Sequence, residues 1–226
     1  MPAPFLVVNP KAYLSKDELN DLALGANQIA KERDLPIYFT APFTALDALQ
    51  RVTDSLIITA QHMDANQPGR GMGSVTAEAL ADIGVKATFL NHAEHPLTLS
   101  QITKTIAREH THNIATIVCA DSVDEAVAVA TLNPTIVLAE PTSLIGTGQA
   151  PDDAYIKATV EQIRAVNQDV QVMIASGVSS AADVARVIRL GADGTGATSG
   201  IIKKSDPVDE IKQWVDALLD ARSDRV

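Results

Sequence analysis

Short apolar runs recur along the chain at Phe5–Val8, Pro36–Phe39, Leu56–Thr59, Ala87–Leu90, Ile114–Val118, Thr135–Leu138 and Val170–Ile174, and an eighth lies around Ala192–Ala197. Each has the length of a strand. The first seven are rich in Val, Ile, Leu or Phe and are apolar at successive positions, as expected for parallel strands covered by helices on both sides. Helical spacing fills the intervals. Leu19, Leu22, Ala26, Ile29 and Ala30 form one stripe, and Val208, Ile211, Val215, Leu218 and Leu219 form another. Ser15 with Glu18, and Ser122 with Glu125, have capping-box spacing and mark two helix starts. Gly84 and Gly191 follow apolar helical stretches, where a terminating glycine is expected.

Eight strand–helix units without a linker or a low-complexity segment predict an α/β fold. A single (β/α)8 barrel spanning residues 1–226 uses all of them. Periodicity does not by itself distinguish closure from an open, doubly wound sheet. A dinucleotide fold is disfavoured: Gly194-Thr195-Gly196 runs on to Ser199-Gly200, so the third glycine of the fingerprint is misplaced.

Composition narrows the function. The net charge of −10 argues against a nucleic-acid partner, because backbone binding needs clustered Lys and Arg. The single Cys119 excludes an internal disulfide framework and a Cys-rich zinc site. As the end of a strand it reads as a buried, inert thiol rather than a nucleophile. The apolar runs are far shorter than a membrane span needs, and Met1-Pro2-Ala3-Pro4 does not resemble a signal peptide, so a soluble, cytoplasmic protein is expected.

Polar residues gather where the strands end, and in a barrel those ends share one face. The first strand runs into Asn9-Pro10-Lys11, the third into Gln61-His62, the fourth into Asn91-His92-Ala93-Glu94 and the sixth into Glu140-Pro141. The seventh ends at Ser176-Gly177 and the eighth at Thr198-Ser199-Gly200. Singly, each has an ordinary alternative. Glu140 could cap a helix or pair with a cation, Lys11 could be a solvated lysine, and the glycines of Gly146-Thr147-Gly148 could mark a tight turn. His92 with His95, and His110 with His112, have suggestive spacing, yet no full ligand set is in view, and neither a metal nor a cofactor is expected.

In combination and in this order, the segments resemble the triosephosphate isomerase family in its short archaeal form. Asn9-Pro10-Lys11, Ala60-Gln61-His62-Met63-Asp64 and Asn91-His92-Ala93-Glu94 carry the resemblance. So do Gly191-Ala192-Asp193-Gly194 and, most specifically, the segment Glu140-Pro141-Thr142-Ser143-Leu144-Ile145-Gly146-Thr147-Gly148. The resemblance implies interconversion of dihydroxyacetone phosphate and D-glyceraldehyde 3-phosphate, a step of glycolysis and gluconeogenesis. It further implies Glu140 as base, neutral His92 as hydrogen-bond donor, Lys11 as positive charge, Asn9 as support and Glu94 as an orienting acid. Gly146, Gly177, Thr198 and Ser199 match positions around the substrate phosphate, and residues 141–147 match a closing lid. A homo-oligomer, dimer or tetramer, is implied as well.

Three positions depart from the family pattern. Ala93 stands where serine is common, which predicts looser hydrogen bonding in the histidine motif. Gly71-Met72-Gly73 replaces a more polar tip in the third loop, and Thr198 stands where glycine or alanine is usual. Thr198 keeps open a four-carbon sugar phosphate as substrate. A non-catalytic barrel binding a phosphorylated metabolite, and an aldolase with a Schiff-base lysine, are further alternatives.

Overall fold

The first and last strands of the sheet pair with each other, and that pairing settles closure. In the computed structural model, which describes residues 3–224, all strands are parallel and run in the order β1 to β8 around a closed barrel. They are β1 (Phe5–Val8), β2 (Ile37–Ala41), β3 (Leu56–Ala60), β4 (Ala87–Leu90), β5 (Ala115–Ala120), β6 (Ile136–Ala139), β7 (Gln171–Ile174) and β8 (Gly194–Ala197). The register across the seam sets Phe5 opposite Gly194 and Val8 opposite Ala197. All eight strands stand where the apolar runs predict them, with ends displaced by up to two residues. Met1 and Pro2, part of the N-terminal reading, lie outside the described residues.

The helices form the outer layer: α1 (Lys16–Arg33), α2 (Phe43–Val52), α3 (Ala77–Asp82), α4 (Leu99–His112), α5 (Val123–Ala130), α6 (Asp153–Val166), α7 (Ala181–Arg189), α8 (Ser199–Ile202) and α9 (Pro207–Ser223). The expected capping box at Ser15 is complete: Ser15 Oγ accepts from the Glu18 N–H, and the Ser15 N–H donates to the Glu18 carboxylate. The one at Ser122 is half formed. Ser122 Oγ accepts from Glu125 N–H at 3.2 Å, but the Glu125 carboxylate takes the N–H of Asp121 instead, at 2.8 Å. The predicted stripe of α1 is buried throughout. On α9, Ile211, Val215 and Leu218 are buried, Val208 and Leu219 only partly, and Trp214 completes the buried face.

Strand alternation produces two cores. Leu6, Val8, Ile37, Phe39, Val137, Val172 and Ile174 face outward and pack with the helices. Phe5, Val7, Tyr38, Phe89, Ile117, Leu138 and Met173 face inward and fill the barrel. The inner wall at β8 is glycine for a steric reason. A Cβ on Gly194 would stand 2.4 Å from the Phe5 ring, and one on Gly196 would stand 2.3 Å from the Val7 carbonyl oxygen.

Candidate active site

The inward parity continues past the strand ends, and it delivers the polar residues. Ile136 and Leu138 face inward, so Glu140, two residues further on, does too. Asn9 follows Phe5 and Val7 in the same way. Backbone bonds carry the ladder beyond the strands: Glu140 N–H donates to Ala120 O at 2.9 Å, and Asn9 N–H to Ala197 O at 3.2 Å. A cavity of about 250 Å³ results at the C-terminal mouth of the barrel. Asn9, Lys11, His92, Glu94, Glu140, Gly146, Gly177, Thr198 and Ser199 all line it. The structure thus brings these nine candidate residues into one place.

Lys11 lies in the left-handed region (φ 49°), which its surroundings must hold. Asn9 Oδ1 accepts from Lys11 N–H at 3.0 Å and from Thr40 Oγ1 at 2.5 Å, and Gln61 Nε2 donates to Lys11 O at 2.9 Å. The ammonium of Lys11 meets Glu94 Oε1 at 2.8 Å, and its side chain is only 17% exposed. That contact holds the Glu94 carboxyl below the ordinary range.

His92 is fixed by its own loop. The Glu94 N–H donates to His92 Nδ1 at 3.1 Å, so the single ring proton of a neutral imidazole resides on Nε2. Burial, reinforced by the nearby Lys11 charge and opposed by Glu94, pushes the His92 pKa down and favours the neutral form. The loop stays well tied despite Ala93: His95 N–H donates to His92 O at 2.7 Å, Leu97 N–H to Asn91 Oδ1 at 2.9 Å, and Asn91 Nδ2 to Cys119 O at 3.0 Å.

Glu140 Oε2 is 3.6 Å from His92 Nε2, with both side chains mostly buried (16% and 12% exposed). Burial raises the Glu140 pKa and Glu94 adds to the shift, while Lys11 and a backbone hydrogen bond from Ser176 oppose it. A carboxylate held above its usual pKa beside a histidine held below its own is an acid–base arrangement.

After Glu140 the chain makes a short 3-10 turn over Thr142–Leu144 and reaches Gly146 and Gly148, both with φ near 74°. Gly177 is packed where this loop returns: a Cβ there would stand 1.9 Å from the Gln149 carbonyl oxygen, at φ 67°. No residue but glycine fits. Thr198 directly precedes α8 and lines the cavity together with Ser199.

The remaining candidates fall elsewhere. His95 lies against His62, with ring centroids 4.1 Å apart and the rings tilted by 48°, and His112 Nε2 lies 3.4 Å from Glu78. The side chain of His110 lies outside the described residues. Among the described residues no group of three or more His, Cys, Asp or Glu is arranged to hold a metal ion. Cys119 is buried, and burial pushes its thiol pKa well up. Tyr13, Ser179 and Lys203 line the cavity although the sequence did not single them out. Lys203 lies one helical turn beyond Ser199, a spacing that reveals it only once α8 is known to begin there.

Comparison with known proteins agrees with this geometry. A family model described as triosephosphate isomerase matches residues 4–214. The triosephosphate isomerase of Metallosphaera sedula is 32% identical over the full length of both chains. That of Sulfolobus acidocaldarius is 30% identical over all of this chain and 99% of its own. That of Methanobacterium bryantii is 31% identical over 90% of this chain and 92% of its own. A match across nearly the whole barrel, with the motif residues converging on one cavity, establishes that the chain belongs to the triosephosphate isomerase family.

Proposed function

We propose that this chain is an isomerase that interconverts dihydroxyacetone phosphate and D-glyceraldehyde 3-phosphate. The observation that carries the reading is the facing pair of Glu140 and neutral His92, with Lys11 in the same cavity. A glutamate base working with a neutral histidine is already described for triosephosphate isomerases; here burial and Lys11 keep His92 neutral, and Lys11 favours the ionised form of Glu140 against its burial.

The steps follow from the groups. Glu140 accepts the proton from C1 of the ketose. The C–H electron pair becomes the C1–C2 double bond, and the carbonyl pair moves onto the oxygen of C2. The negative oxygen is met by His92 Nε2–H and by the Lys11 charge, both placed before it forms. A proton passes between the two oxygens, and Glu140 returns its proton to C2, leaving the carbonyl at C1. The oxidation of one carbon and reduction of the other balance within the substrate.

Backbone N–H groups at Gly146, Gly177, Thr198 and Ser199 take the phosphate, aided by the helix start after β8. Closure of residues 141–147 excludes water and protects the enediolate from losing phosphate. Homo-oligomerisation, as dimer or tetramer, and a cytoplasmic location belong to the same proposal. Tyr13, Phe43 and Met72 are 66%, 41% and 106% exposed. Phe43 also lines a second cavity beside Lys11, together with His62 and His95.

A coupled assay with D-glyceraldehyde 3-phosphate, run beside Glu140→Gln, tests the reaction. Turnover that disappears in the variant is expected. Thr198 on the cavity wall gives a four-carbon sugar phosphate a specific claim, and the ratio of kcat/KM values decides it: a clear three-carbon preference removes that substrate. Binding of triose phosphate by the folded protein without turnover would instead favour a non-catalytic barrel.

A further inference from the structure

The stretch that carries Glu140 out of β6 is gripped on both sides. Towards β5, the Glu140 N–H donates to Ala120 O at 2.9 Å, the last regular rung of the ladder. One rung further, β5 has ended and has no strand carbonyl to offer. The Asp121 carboxylate takes that place and accepts from the Thr142 N–H. Asp121 is anchored in turn, since its own N–H donates to Glu125 Oε2 at 2.8 Å. The hydrogen bonding with Thr142 lowers the Asp121 pKa, so the acceptor stays charged.

Towards β7 the grip is made by Ser176. Its Oγ donates to Pro141 O at 3.0 Å, and its backbone N–H favours the charged form of the Glu140 carboxyl. Pro141 has no N–H, so its carbonyl is the only backbone handle on that residue. Ser176 is 5% exposed and lies at φ 72°. A non-glycine residue is strained in that region, so its contacts must hold it there.

We propose that Asp121 and Ser176 are positioning residues that clamp the peptide segment 140–142 between β5 and β7 and so set where the Glu140 carboxylate stands when substrate arrives. The proposal rests on the reading of Glu140 as base. Asp121 does not line the cavity and acts only through Thr142.

The test measures kcat, KM and the isotope effect on kcat with C1-deuterated dihydroxyacetone phosphate, in wild type, Asp121→Ala, Asp121→Asn, Ser176→Ala and the Asp121→Ala/Ser176→Ala double variant. Misplacing a reacting group by about 1 Å costs on the order of 100-fold. Asp121→Ala is expected to lower kcat by about 10- to 100-fold with KM little changed, and to raise the isotope effect because proton abstraction has slowed. Asp121→Asn keeps an acceptor oxygen and should recover most of the loss. Ser176→Ala should fall in the same direction, and the double variant by less than the product of the singles. A purely structural role would scale kcat by the folded fraction and leave the isotope effect untouched; that result in both single variants overturns the clamp, as does an unaltered kcat. If Asp121→Ala fails to fold, Asp121→Asn and Ser176→Ala decide by the same measurements. Wild type without turnover overturns the proposed reaction and the clamp with it, whereas an active wild type matched by all the variants overturns the clamp alone.

Discussion

Glu140 illustrates how a single residue is placed at odds with its surroundings. Its burial favours the protonated form, whereas the base role proposed for it needs the ionised one. The pKa is raised above 4.5, so on the acid side kcat/KM should rise with pH through a value above that of an ordinary glutamate. His92, with its pKa held below that of an ordinary imidazole, is mainly neutral near pH 7 and should add no loss there. The sign for stability is opposite. A carboxyl whose folded pKa is raised stabilises the fold only while protonated, and the contribution is lost as pH rises past the unfolded value towards the folded one. Glu140→Gln should therefore be inactive yet melt at a higher temperature than wild type at pH 7, with the difference shrinking as the pH falls towards 4. Thermal melts of both proteins across that range check this, and a variant that melts lower at pH 7 would contradict it.

At the scale of the element, the fit between the seventh loop and the stretch that follows β6 is steric. Gly177→Ala would put a methyl group 1.9 Å from the Gln149 carbonyl oxygen, at a φ of 67° that alanine resists. Overpacking of this kind costs about 1–3 kcal/mol. The variant should melt several degrees lower and show a raised KM, because the same shift displaces an N–H assigned to the phosphate. A KM equal to wild type would remove Gly177 from the phosphate site. The strands themselves were legible because buried parallel strands are apolar at every position. Their ends were read less well, since the ladder runs on through polar residues such as Asn9 and Glu140. The half-formed box at Ser122 has the same kind of cause: the Glu125 carboxylate follows the nearer Asp121 N–H, a choice that residue spacing does not encode.

For the whole molecule, closure couples residues that are far apart in the chain. Lys11 and Glu94, 83 positions apart, form one side of the site, and β1 completes the barrel against β8. A closed ring sharing its inner core should unfold as one unit. The single Trp214 is fully buried on α9 with its Nε1 donating to Glu210 at 2.7 Å, so its fluorescence reports docking of the outer layer. Denaturant curves followed by Trp214 emission and by far-ultraviolet circular dichroism should coincide at any fixed protein concentration. Separate transitions would contradict a single cooperative domain. The amino-acid sequence by itself determined the order of the elements, the parity that turns Asn9 and Glu140 inward, and the motifs that mark the family, because these depend on neighbours within a few residues. The tertiary structure decided closure, the tautomer of His92, the left-handed turns at Lys11 and Ser176, and the role of Asp121 as an acceptor. Each of those depends on a partner or packing surface that only the folded ring brings near, and no local pattern in the chain encodes such a distance.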